Sequence, residues 1–97
     1  MSNYSRGADF ERRVQRYFEK LGYLVIRSAG SHTLVDLVAL RAGEVKLIQC
    51  KLDGVLSVAE RQQLGELARE TGCQVYLISR QGKKMIAEEI KEEEKRA

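Results

Sequence analysis

The sequence predicts an α/β fold with its elements in the order αβββαβ, followed by a C-terminal helix or charged tail. Three observations predict it. Helical periodicity occurs twice, near the start and past the middle of the chain. Short apolar runs of strand-forming residues lie before, between and after. The interruptions are Gly-containing turns, and proline is absent, which fits continuous helices and strands.

Phe10, Val14, Tyr17, Phe18 and Leu21 share one helical stripe, so Ala8 to Leu21 reads as an amphipathic helix that Gly22 ends. Tyr23 to Arg27 is a first strand, and Ser28 to His32 a loop of small polar residues. Thr33 to Arg41 and Glu44 to Leu52 are the second and third strands, joined as a hairpin by Ala42-Gly43. Ser57 and Glu60 fit a capping box for a helix from about Val58 to Thr71, with Gly72 at its stop. Gln74 to Ser79 is a fourth strand, and Arg80 to Lys83 a turn. Met85 to Lys95 reads as a final helix with a fraying charged end; a short strand over Lys84 to Ile86 is the alternative.

Composition bounds the function. Ninety-seven residues make one domain, large enough to bury roughly 60–65% of its unfolded surface. Hydrophobic residues are 43% and charged residues 32%, an ordinary soluble composition. No run approaches the roughly 18 apolar residues of a membrane span, and the charged N-terminus lacks a signal peptide's apolar stretch. A cytoplasmic protein with two free thiols is therefore expected. The 17 basic and 14 acidic residues give +3. The last ten residues, Glu88 to Ala97, carry five Glu against three basic side chains, so the body before them is more basic, at +5. A basic body suggests an anionic partner, nucleic acid being the commonest.

Two strands break their own apolar pattern. Strand alternation puts Leu34, Asp36, Val38 and Leu40 on one face. Asp36 is thus a carboxylate inside an apolar run, costly unless it is paired or binds a cation. In the third strand Val45, Leu47, Gln49, Lys51 and Asp53 share a face, with Gln49 and Lys51 as neighbours. A hairpin turning at Ala42-Gly43 sets Asp36 opposite them. An acid, an amide and an ammonium then converge at one end of a short sheet. Cys50 points the other way, into the core. His32, the single histidine, lies in the loop before Asp36; contact with a phosphate and help to the water are its functional readings, and an ordinary loop histidine is the commoner one.

Asp36 followed by Gln49-Cys50-Lys51 resembles the PD-(D/E)xK nuclease core. The similarity is closest to archaeal-type Holliday junction resolvases. Gly7-Ala-Asp-Phe-Glu-Arg12 resembles their first-helix motif, Arg27-Ser-Ala-Gly-Ser31 their Arg-Ser-x-Gly-Ser loop, and Val35-Asp-Leu-Val38 their Asp-bearing segment. The resemblance spans about residues 6–80 and implies a restriction-endonuclease-like mixed β-sheet flanked by helices. It implies one nuclease-like domain over 1–97, with a charged tail over about 88–97.

Carried over residue by residue, Glu11 and Asp36 are metal-ligand carboxylates, Gln49 is the third ligand, and Lys51 orients or polarises the attacking water. Arg12 and Arg27 contact phosphates, with Ser28, Ser31 and His32 as further DNA contacts. The implied cofactor is Mg²⁺, with Mn²⁺ as a substitute. The implied partner is DNA, branched or four-way, cut by a homodimer that supplies two sites. The departure is Gln49, where the family usually has Glu: the amide oxygen still ligates, but the site loses a full negative charge. Asp53, on the same strand face, is expected to replace part of it. Modification-dependent Mrr-like nucleases carry a similar Gln-x-Lys. The rival readings are a junction- or end-binding module with weakened or lost chemistry, and a replication-repair or Mrr-like nuclease with other DNA substrates.

Overall fold

The computed structural model describes residues 3–28 and 34–92. Its elements are α1 (Asn3–Lys20), β1 (Leu24–Arg27), β2 (Leu37–Arg41), β3 (Glu44–Cys50), α2 (Val58–Thr71), β4 (Gln74–Gln81) and β5 (Lys84–Ile90). The strands form one sheet in chain order, β1-β2-β3-β4-β5. Strands β3 and β4 are parallel, and every other neighbouring pair is antiparallel. A parallel pair needs a crossover connection, and α2 supplies it. The mixed sheet flanked by helices is the expected fold class.

Alternation along the strands divides the core in two. On one face Phe10, Val14 and Phe18 of α1 pack with Tyr23, Leu37, Ala39, Ile48 and Ile78. On the other, Leu64 of α2 packs with Val75, Leu77 and Ile90. Helix α2 sits over the β4–β5 half of its face. The β1–β3 half keeps an apolar surface in water: Leu24 is 65% exposed, Ile26 50% and Val45 38%.

Local signals account for the joints. Ser57 Oγ accepts a hydrogen bond from the Glu60 N–H, and Glu60 Oε1 accepts one from the Ser57 N–H, both at 3.0 Å. That reciprocal pair starts α2 where the sequence predicts it. The β2–β3 hairpin turns at Ala42-Gly43, with Arg41 opposite Glu44. Glu44 also accepts from Arg41 Nε at 2.6 Å and from the Tyr23 hydroxyl at 3.2 Å, so the hairpin is tied to the end of the α1 core.

The chief correction is at the C-terminal end. Residues 84–90 form strand β5, where the sequence reading favours a helix from Met85 to Lys95. Gly82, at φ 62°, turns the chain back on β4, and the ladder pairs Gln81 with Lys84 through Val75 with Ile90. Ala, Glu and Lys favour helix intrinsically, but pairing with a strand already in place overrides that weak preference. Residues 93–97, the rest of the expected tail, lie outside the described residues. Helix α1 starts at Asn3, earlier than Ala8, because its first turn needs no apolar stripe. Strand β2 starts at Leu37; Thr33, its expected start, lies outside the described residues. Strand β3 ends at Cys50, two residues before Leu52.

Candidate active site

Asp36 stands one residue ahead of β2, yet its backbone is held on both sides. Its N–H donates to the Ile48 carbonyl at 2.8 Å, and its carbonyl accepts from the Ser28 N–H at 2.9 Å. The register of β1, β2 and β3 therefore continues one row past the strand, into the row of Gln49. The side chain is pinned as well: Asp36 Oδ2 accepts from the Cys50 N–H at 2.8 Å. Burial pushes the Asp36 carboxyl above its ordinary pKa; the Cys50 amide and the Lys51 charge pull the other way.

Gln49 projects to the α2 face. Its Oε1 is buried and has no hydrogen-bond partner. Lys51 has left β3, but its N–H still donates to the Ile78 carbonyl at 3.0 Å. Its ammonium lies 3.0 Å from Glu60 Oε2. Asp36, Gln49 and Lys51 line one cleft with Leu34, closed on the helix side by Glu60, Gln63 and Leu64. The cleft holds about 390 Å³, against about 30 Å³ for one water, so an ion and a phosphate group both fit. The expected meeting of acid, amide and ammonium is what the fold produces.

Glu11 reaches the site from the other side of the sheet. It lies on α1 beside buried Phe10, is half-buried itself, and is absent from the cleft lining. Burial raises its pKa, the Asp36 charge raises it further, and Arg27 and Arg12 lower it. These four side chains therefore share one electrostatic neighbourhood at the end of the sheet. Arg27 ends β1 and is exposed. Arg12 is exposed and pairs with Asp9 at 3.3 Å. Ser28 is half-buried beside Asp36. Ser31 and His32 lie outside the described residues.

Other expectations fare differently. Asp53 does not line the cleft: its Oδ1 accepts from the Val55 N–H at 3.0 Å, inside the turn that Gly54 makes at φ 72°. Its charge is spent on that turn and replaces nothing at Gln49. Cys50 faces the α1 core, as the alternation predicts, and burial followed by the Asp36 and Glu11 charges pushes its thiol far up. It is inert at neutral pH. Glu60 and Gln63 are the cleft residues that sequence reasoning missed. Glu60 carried a signal, but as a helix cap; nothing in the spacing from Lys51 says that the intervening loop folds it back. Among the described residues, no three His, Cys, Asp or Glu side chains cluster to hold a metal ion. Beside Asp36 the cleft presents an amide, Gln49.

A carboxylate and a Gln-x-Lys at the ends of adjoining strands, at the open end of a mixed sheet, are consistent with the PD-(D/E)xK nuclease superfamily. The family model for archaeal Holliday junction resolvase (Hjc) matches residues 2–96, and the chain belongs to that family. It is 54% identical over 48 residues to the crossover junction endodeoxyribonuclease Hjc of Methanocaldococcus jannaschii. That match covers 50% of this chain and 35% of the relative, so the chain spans about a third of that protein's length. Its fold is similar to the solved structure of Hjc from Archaeoglobus fulgidus, described as a Holliday junction resolvase from an archaeal hyperthermophile. The TM-score is 0.74 at 27% identity, over 88% of this chain and 73% of that one.

Proposed function

We propose that this chain is one nuclease domain and a metal-dependent endonuclease that hydrolyses phosphodiester bonds in branched DNA, four-way junctions foremost. The observation that carries the reading is the buried, unpartnered Gln49 Oε1, which lines the same cleft as the Asp36 carboxylate and the Lys51 ammonium. A buried carbonyl oxygen without a partner is costly, and a hard cation is the ligand that satisfies it together with a carboxylate. The donor set is all oxygen, which fits Mg²⁺ or Mn²⁺ and not a thiophilic metal.

Asp36 and Gln49 would hold the ion, with Glu11 near them on α1. When bound, it would supply charge neutralisation at the scissile phosphate and a more acidic water. Lys51 adds a fixed positive charge where the nucleophile forms. Arg12 and Arg27 hold backbone phosphates without reading bases, and Ser28, Ser31 and His32 are further contacts. Recognition is by shape, so binding falls steeply with salt. Two free cysteines fit a reducing cytoplasm. Among the described residues no helix is long and apolar enough to cross a membrane.

The enzyme acts as a homodimer. The bare apolar surface bearing Leu24, Ile26 and Val45 supports this, since such a surface marks an interaction site, and a two-fold axis matches paired cuts in a four-way junction. Ile26→Asp makes the protein monomeric by light scattering and uncouples the paired cuts. An Ile26→Asp protein that stays dimeric places the interface elsewhere.

Incubating a synthetic four-way junction with Mg²⁺ or Mn²⁺ tests the activity; cleavage is expected. Tight binding without cleavage at any metal concentration favours the second reading, a junction-binding module, which the neutral Gln49 supports. Flap and linear duplex substrates, run in parallel, separate a replication-repair or Mrr-like nuclease. Gln49→Glu adds a full charge to the cleft and binds metal roughly tenfold tighter by calorimetry. An unchanged affinity means that position 49 does not touch the ion.

A further inference from the structure

A lysine ammonium in a cleft needs a counter-charge. Here the neighbour along the strand face, Gln49, offers none, and Asp36, whose Oδ2 accepts from the Cys50 amide, acts on Lys51 only through space. The partner of Lys51 comes from the next element instead. Glu60 Oε2 lies 3.0 Å from Lys51 Nζ, with the two side chains 38% and 32% exposed. The other oxygen, Oε1, accepts from the Ser57 N–H. One carboxylate thus spans two jobs: it closes the N-terminal cap of α2, and it holds the ammonium at the mouth of the cleft. Those two sets of contacts also hold the Glu60 carboxyl below its ordinary pKa, so it is a fixed anion.

We infer that Glu60 is the positioning residue of Lys51: it anchors the ammonium in the cleft from the rigid first turn of α2. What Lys51 does with that position rests on the nuclease reading above; how it is held does not. In this geometry Lys51 keeps a counter-charge although position 49 is neutral. A carboxylate there is one source of counter-charge for the lysine, and the capping residue is another. The two sites are then coupled, which a purely structural cap would not produce.

Glu60→Gln separates the jobs. Gln keeps a cap acceptor for the Ser57 N–H but has no charge for Lys51. Ser57→Ala does the reverse: it removes the Oγ acceptor, while the Ser57 N–H and the Lys51 pair remain. Two readouts are needed. The first is the NMR order parameter of the Lys51 ζ-ammonium in the metal-free protein. It falls in Glu60→Gln and stays at the parent value in Ser57→Ala. The second is junction cleavage. In Glu60→Gln kcat drops about tenfold to a hundredfold, as misplaced catalytic groups typically do, with KM near the parent value. Gln49→Glu in that background recovers part of the loss. An unchanged Lys51 order parameter in Glu60→Gln overturns the inference, whatever happens to kcat. An equal fall in Ser57→Ala also overturns it, by assigning the effect to the cap. If the parent protein cuts no DNA, the nuclease reading fails and the order parameter alone decides between anchored and free.

Discussion

Asp36→Asn abolishes cleavage, with a loss of about a thousandfold, because it removes the one carboxylate that lines the cleft from the sheet. The same change stabilises the metal-free protein at neutral pH. Burial raises the Asp36 pKa above its ordinary value, so between the unfolded and native values the native state binds more protons than the unfolded state. Stability therefore falls as pH rises through that window. The penalty is fully present above the native pKa and absent below the unfolded one. Asn keeps an oxygen for the Cys50 N–H and discards the buried charge. Its thermal advantage over the parent is largest near pH 7 and disappears as the pH drops below the ordinary Asp range. Scanning calorimetry in EDTA measures this. Added Mg²⁺ then stabilises the parent by mass action and leaves the variant unmoved. A variant that cuts at the parent rate takes Asp36 out of the site; one that melts lower at pH 7 means that the Cys50 amide and Lys51 outweigh the burial.

Ile48→Ala costs about 2–5 kcal/mol, by lost burial and a residual cavity. Ile48 is 0% exposed and lies in β3, in the cluster that α1 covers. Small domains hold only about 5–15 kcal/mol in total, so urea unfolding shows a large drop in midpoint. Ile48→Val keeps the packing shape and costs about 1 kcal/mol. The site feels the change too, since the Ile48 carbonyl holds the Asp36 N–H at 2.8 Å. An Ile48→Ala midpoint within error of the parent would mean that the α1 core does not anchor β3.

The elements with strong local punctuation were legible. Ser57, Glu60 and Gly72 delimit α2 on their own, and alternation in β2 and β3 with the turn at Ala42-Gly43 sets Asp36 opposite the region of Gln49 and Lys51. Failures came where partners decide. Residues 84–90 carry helix-forming Ala, Glu and Lys, and only the adjacent β4 ladder makes them a strand. Asp53 shares a strand parity with Gln49, but β3 ends at Cys50 and parity lapses there. Glu60 was visible as a cap and invisible as a neighbour of Lys51, because the six residues between Lys51 and α2 follow no periodicity that a reader can extend.

The two-sided core has a last consequence. Glu11 arrives on a helix packed against one face, Glu60 on a helix packed against the other, and Asp36 sits between them at the end of the sheet. A chain with only one helix docked holds an incomplete set of charges. On the nuclease reading proposed above, a half-made or heat-loosened copy therefore cuts no DNA.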